Sequence, residues 1–202
     1  MKNLLITTLV LAALAVPAFA SSTASPQTIK NLNAAFQGES NAASRYAAFS
    51  KKADQEGLTQ VAKLFRAASA AEAIHRDTHK KAILELGGTV ESFKLDEVKP
   101  GSTAENLKEA IKGESYERDT MYPEFIAVAK ADNAKAAIRT LQFALAVEKE
   151  HALLYQAALD QLGHNPPRGC FVCQVCGATL TALPEKICPV CRNGRDEFKQ
   201  IN

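Results

Sequence analysis

Each of four long helical stripes in this chain carries a glutamate where the spacing calls for an apolar residue. The first reads Leu32, Phe36, Glu39, Ala43, Tyr46, and the second Val61, Phe65, Ala68, Glu72, His75. The third reads Leu107, Ile111, Glu114, Glu117, Met121; the fourth reads Ile138, Leu141, Leu145, Glu148, Ala152, Tyr155, with His151 beside it. Steps that alternate between three and four residues place each set on one buried helix face. Helices are expected from about Ser25 to Asp54, Leu58 to Leu86, Ser102 or Thr103 to Ala131, and Asn133 to Leu162. Gly57, Gly87-Gly88 and the run Gly163 to Pro167 break them. The charged stretch from Thr89 to Gly101 reads as a crossover, so the expected fold is an all-α, antiparallel four-helix bundle with one long connection.

The two halves of the bundle repeat each other. Gly38-Glu39-Ser40 recurs as Gly113-Glu114-Ser115, followed by Tyr46 and Tyr122 respectively, and Glu72-x-x-His75 recurs as Glu148-x-x-His151. Two such hairpins bring their polar groups to one level. Burying one unpaired carboxylate costs several kcal/mol or forces it to protonate. Five in one core are tenable only with compensating cations, and carboxylates with a pair of imidazoles suit iron or manganese. Residues at i and i+3 sit about 4.5 Å apart along a helix axis, so one Glu-x-x-His can serve one ion. A Glu from each of two helices plus Glu-x-x-His from each of the other two is the donor set of di-iron carboxylate bundles. Here it falls on Glu39, Glu114, Glu72/His75 and Glu148/His151.

Nearby polar residues read more plainly. His79, one turn beyond His75, reads as a core histidine; Glu124 reads as surface or supporting, and Lys149 and Glu150 as facing away. Pro123 removes a backbone hydrogen bond and should kink the third helix close to the acidic layer.

All five cysteines lie between Cys170 and Cys191. A disulfide framework is normally spread over the fold it staples, so this clustering reads as a metal site. Cys173-x-x-Cys176 and Cys188-x-x-Cys191 can set four thiolates around one ion, zinc or iron on spacing alone. Cys170 is then a spare thiol.

Residues 1–20 read as a secretory signal: Lys2, an apolar run from Leu4 to Val16, and Ala18-Phe19-Ala20 as the cleavage pattern. The run is shorter than the ~20 residues that span a bilayer, so no membrane insertion is expected after its removal. The expected organisation is signal 1–20, bundle 21–163, linker 164–169 and cysteine module 170–202, in an exported, periplasmic protein. A net charge of +2, from 24 basic and 22 acidic residues, gives no reason to expect nucleic acid as a partner.

The residues from Phe36 to Ser40 with Tyr46, Glu72-x-x-His75, Gly113 to Glu117 with Met121 to Phe125, and Glu148-x-x-His151 resemble the rubrerythrin family. The resemblance covers essentially everything after the signal. It implies a ferritin-like bundle with two non-haem irons, followed by a rubredoxin-like module, mostly irregular and β, whose one iron is held by Cys173, Cys176, Cys188 and Cys191. It also implies that Glu117 is a seventh di-iron ligand, exchanging with His75 as the redox state changes. Tyr46 and Tyr122 match tyrosines that hydrogen-bond the ligand carboxylates. The implied activity is a peroxidase that reduces hydrogen peroxide to water in oxidative-stress defence, drawing electrons from a donor protein through the four-cysteine iron. An exported copy needs a donor other than nicotinamide, such as a c-type cytochrome. The implied assembly is a homodimer, with one chain's module near the other chain's di-iron site. One departure stands out: Arg192 follows the second knuckle where the family has Gly. Two other readings stay open on the residues alone, a ferritin-like iron-oxidising or iron-storing protein and a bundle with a structural zinc tail.

Overall fold

The computed structural model describes residues 24–202, so the segment read as an export signal lies outside the described residues. Its helices are α1 Pro26–Gln55, α2 Thr59–Glu85, α3 Thr103–Tyr116, α4 Tyr122–Ala131 and α5 Lys135–Asp160. A π-helical turn, Glu117–Met121, joins α3 to α4, so the bundle has four rods. None of these helices is long and apolar enough to cross a membrane.

Local chemistry sets the helix starts. The Ser25 hydroxyl accepts from the Thr28 amide and Pro26 occupies the first helical turn. Ser102, rather than Thr103, caps α3, in a reciprocal box with Glu105. The kink expected at Pro123 takes the form of the π turn. Proline has no N–H for the Asp119 carbonyl, and the Tyr122 amide instead reaches five residues back to the Glu117 carbonyl.

The crossover runs along α1 as an extended strap. Asn33 bonds the Thr89 carbonyl and the Glu91 amide at 3.0 and 2.9 Å. Asn41 holds Asp96 at its amide and carboxylate, and the Thr103 amide donates to Glu56 at the far end of α1. Two partly buried asparagines thus supply the partners that an extended backbone otherwise lacks.

Along every rod the apolar core is interrupted once. One cluster contains Tyr46, Phe49, Phe65, Leu107 and Tyr155, with the Phe65 ring 5.3 Å from that of Tyr155. The other contains Leu32, Ile83, Tyr122, Ile126 and Leu141. Glu39, Glu72/His75, Glu114 and Glu148/His151 fall between the two clusters in sequence on each rod, all at most 1% exposed. The polar layer is therefore sealed above and below by packed side chains.

Beyond α5 a three-stranded antiparallel sheet, in the order β2-β1-β3, is built from β1 Phe171–Cys173, β2 Thr179–Leu180 and β3 Phe198–Gln200. The module lies on the α2–α5 face: Cys173, Cys176 and Cys188 pack with Phe143 and Val147, and Cys170 and Val172 pack with Ala67, Ala71 and Ile74. Alanines on α2 let the sheet approach the helix closely.

Candidate metal centre

Six of the seven residues expected in the bundle site converge into two four-residue groups. Glu39, Glu72, His75 and Glu148 form one; Glu72, Glu114, Glu148 and His151 form the other. Glu72 and Glu148 belong to both, each with one oxygen per group. Glu72 places Oε2 2.9 Å from His75 Nδ1 and Oε1 3.0 Å from His151 Nδ1. Glu148 places Oε1 3.0 Å from His75 Nδ1 and Oε2 3.0 Å from His151 Nδ1. Glu39 and Glu114 each belong to a single group.

Eight buried atoms of these residues have no hydrogen-bond partner: Oε2 of Glu39 and Glu114, both oxygens of Glu72 and Glu148, and Nδ1 of each histidine. Orphaned buried donors and acceptors in this number are costly. The set is hard oxygen plus imidazole, shared through two carboxylates, and it fits a pair of iron ions.

Charges in the layer oppose one another. Burial, and then the charges of Glu148 and Glu72, push Glu114 well above the usual carboxylate range. For His151, burial disfavours the cation, but Glu72 and Glu148 outweigh it and raise the pKa to about 10. Without metal the layer holds protons on its histidines, and metal uptake must release them.

Tyr46 donates its hydroxyl proton to Glu114, and Tyr122 donates to Glu39. Each tyrosine serves the carboxylate of the other hairpin. Glu117 lies outside both groups. It is half-buried in the π turn, and burial with the charges of Glu39, Glu148 and Glu72 raises its pKa well above normal. His75, by contrast, belongs to the group with Glu39, Glu72 and Glu148. His79 is fully buried, and Glu124, Lys149 and Glu150 are exposed, as expected for residues outside the donor set.

Both donor histidines present their outer nitrogen to the C-terminal module of the same chain. With Nδ1 facing the site, Nε2 carries the proton. His75 Nε2–H donates to the Cys176 carbonyl at 3.1 Å, and His151 Nε2–H to the Thr179 hydroxyl at 3.0 Å. Thr179 in turn donates to the Gly177 carbonyl. The resemblance implies a module near another chain's site; in this chain the linker folds the sheet back onto α2 and α5 of the same chain, and the contact is made there. Sequence reasoning passed over Thr179 and Gly177; the only signal for them was that they follow the first knuckle.

In the module, Cys173 Sγ lies 3.7 Å from Cys191 Sγ and Cys176 Sγ lies 3.6 Å from Cys188 Sγ. The edge of a tetrahedron with metal–sulfur bonds near 2.3 Å is about 3.8 Å. All five thiols are free, and Cys170 stands outside the group of four. Hydrogen bonding from Cys176, with the backbone amides of Val175 and Cys176, draws the Cys173 thiol down to about 5, toward the thiolate a metal needs.

The second knuckle turns through Arg192 with φ +67°, the conformation Gly177 takes at φ +78° in the first. A side chain there costs about 1–2 kcal/mol. Arg192→Gly should therefore stabilise the module by about 1 kcal/mol after glycine's own entropy cost. The thermal bleaching of the four-cysteine absorption reads this out, and an unchanged or lower midpoint would show that the turn is not strained.

Residues 30–159 match the rubrerythrin family model. Nigerythrin of Nitratidesulfovibrio vulgaris is 33% identical over 178 residues, 88% of each chain. A rubrerythrin of Porphyromonas gingivalis is also 33% identical, over 87% of this chain and 90% of its own. A solved structure of nigerythrin in its fully reduced, all-ferrous state superposes with a TM-score of 0.77 at 28% identity, over 96% of this chain and all of that one. The bundle, the paired carboxylate–histidine groups and the four-cysteine module are thus one di-iron and one rubredoxin-like site on a single chain, and the chain belongs to the rubrerythrin family.

Proposed function

We propose that this chain is a non-haem di-iron peroxidase that reduces hydrogen peroxide to water, with electrons entering through the four-cysteine site. Membership of the rubrerythrin family implies an oxidoreductase. The observation that carries the finer reading is the docking of the module. Cys176 supplies a sulfur to the four-thiol group, and its own carbonyl accepts from His75, which faces the bundle site. One residue thus links both centres through a single hydrogen bond. An iron-storage or zinc-tail role has no use for that link.

Glu39, Glu72, His75 and Glu148 are assigned to one iron, and Glu72, Glu114, Glu148 and His151 to the other, with Cys173, Cys176, Cys188 and Cys191 around the third. Two ferrous ions held there would supply one electron each for cleavage of an O–O bond, and an iron held by the four cysteines would supply single-electron chemistry. Glu72 and Glu148 keep the two binding positions at a fixed separation. Tyr46 and Tyr122 hold Glu114 and Glu39 in place by their hydrogen bonds. With His75 turned in and Glu117 out, the structure matches one member of the exchange that the resemblance implies.

The residues from Lys2 to Ala20 support export to the periplasm, where the electron donor would be a protein of that compartment. A homodimer, also implied by the resemblance, is not needed for the contact between module and bundle. Rapid mixing of the reduced protein should show both centres oxidised faster by peroxide than by dioxygen. Equal or slower oxidation by peroxide would overturn the reading.

A further inference from the structure

The four thiols of the module are not equally placed. Cys173, Cys176 and Cys188 are at most 1% exposed, and of the four only Cys191 is half-buried. Cys176 faces inward, its carbonyl taken by His75. Cys191 opens instead into a cleft of about 380 Å³ at the seam between α2, α5 and the module. Asn193 beside it donates to its sulfur at 3.3 Å. Half-buried Phe143 and Val175 give the cleft an apolar wall, and Lys81 of α2 and Arg139 of α5 line it as well. A cleft of this size admits a side chain rather than a protein, so a partner that meets Cys191 lays a face across the seam.

Charge around the seam is one-sided. Lys81 and Arg139 are exposed, and Arg192, also exposed, follows Cys191 directly. Among the described residues, the ion pairs made by lysine and arginine involve none of these three. Glu85 is the one acid lining the cleft. On the adjoining patch Asp77 is bonded to Arg76 at 2.8 Å, while Lys80 and the 57% exposed Leu84 stand open. The whole chain carries only +2, so this excess of positive charge is local.

We infer that this seam is where the electron donor docks, and that the donor is a small redox protein with acidic residues around its redox group. The inference rests on the peroxidase reading, in which a donor protein feeds the four-cysteine site. Of the four sulfurs only Cys191 can approach a partner's redox group without the module opening. Opposite charges steer two such proteins together and fix their orientation, which suits a brief encounter. Redox complexes of this kind are weak and bury less than about 1,200 Å². Phe143, Val175 and Leu84 supply a small apolar centre, and Lys81, Arg139 and Arg192 supply the charge around it. A basic donor would meet like charge at all three. Entry at Cys191 and exit at Cys176 assign the two transfers to different thiols of one group. Each encounter passes one electron, oxidising the donor and reducing a ferric ion held by the four cysteines to ferrous, with no proton moved.

The probe donor is an acidic, low-potential plant-type [2Fe–2S] ferredoxin. It is mixed, reduced and without oxygen, with the iron-loaded parent, with Lys81→Glu/Arg139→Glu, and with Lys51→Glu/Lys112→Glu. The last pair makes the same charge change at exposed positions on α1 and α3, away from the module's face. All three proteins are first matched for four-cysteine absorption. At low ionic strength the parent's four-cysteine iron should be reduced at a rate that falls as salt is added. The cleft variant should be slower by about tenfold or more and lose that salt dependence, while the control stays within about threefold of the parent. In the zinc-loaded, ¹⁵N-labelled full chain, ferredoxin should shift or broaden the amides around Lys81, Arg139, Arg192 and Asn193. A ferredoxin that neither binds nor reduces the parent overturns the inference, as does equal slowing of both variants or a perturbation centred elsewhere. A basic cytochrome c that perturbs these amides where ferredoxin does not overturns the charge assigned to the donor. Neither experiment uses peroxide. A protein that passes both yet, once reduced, reacts with peroxide no faster than with dioxygen keeps its docking seam and loses the peroxidase reading.

Discussion

Replacing Glu148 with leucine empties the bundle site and leaves the fold standing. Glu148 faces both histidines, one oxygen to each at 3.0 Å, so its loss strips a donor from both groups at once. Iron content should fall from about three per chain to about one, the remainder held by the four cysteines. Peroxide turnover should drop at least about a hundredfold, the upper range for losing even an outer contact to a metal ligand. The effect on stability has the opposite sign from that of a usual core lesion. In the metal-free protein Glu148 is one of four crowded, fully buried carboxylates, and both its oxygens lack a hydrogen-bond partner. Exchanging such a group for an apolar one of similar volume is often neutral or stabilising by about 1–4 kcal/mol. Metal-free Glu148→Leu should therefore melt no lower than the metal-free parent, while the loaded parent melts above both. Retention of about three irons by the variant would mean that Glu148 is not a shared ligand.

The bundle and its donor set were legible because two independent signals coincide there. The alternating three-and-four spacing fixes which face is buried, and the duplicated Glu and Glu-x-x-His motifs put charge on that face. Only bound cations reconcile the two. Cys173, Cys176, Cys188 and Cys191 were legible for the same reason, since their spacing has few other uses. What depends on long-range packing was not. Nothing in the linker says where the module will rest, so the reach of Cys176 and Thr179 to the histidines appears only in three dimensions. Asn33 and Asn41 look like ordinary surface residues of a helix, yet they pin the crossover. Glu117 shows a different limit: its place in the sequence is that of a ligand, but the π turn leaves its carboxyl outside both groups while His75 is in. Arg192 stands where the family has Gly, and it takes the left-handed turn all the same.

Gly177→Ala should uncouple the two metal sites without damaging either. A Cβ at this position would stand 2.5 Å from His75 Nε2, 3.0 Å from His75 Cδ2 and 3.2 Å from the Ala71 carbonyl. The backbone is also left-handed there, which adds about 1–2 kcal/mol for any side chain. His75 cannot swing away, because its other nitrogen is committed to the iron pair, and Ala71 is helix backbone. The module must therefore lift from α2, and the hydrogen bond between His75 and the Cys176 carbonyl goes with it. The four thiolates move together and keep their absorption, and the bundle keeps its iron. The loss falls on electron transfer between them. After the reduced protein meets one equivalent of peroxide, the di-iron site should oxidise at close to the parent rate. Oxidation of the four-cysteine iron should follow at least about tenfold more slowly than in the parent, the range seen when a partner of a metal-bound histidine is lost. Equal rates for that second phase in both proteins would mean that electrons do not cross at Cys176, and the docked arrangement would then be structural only.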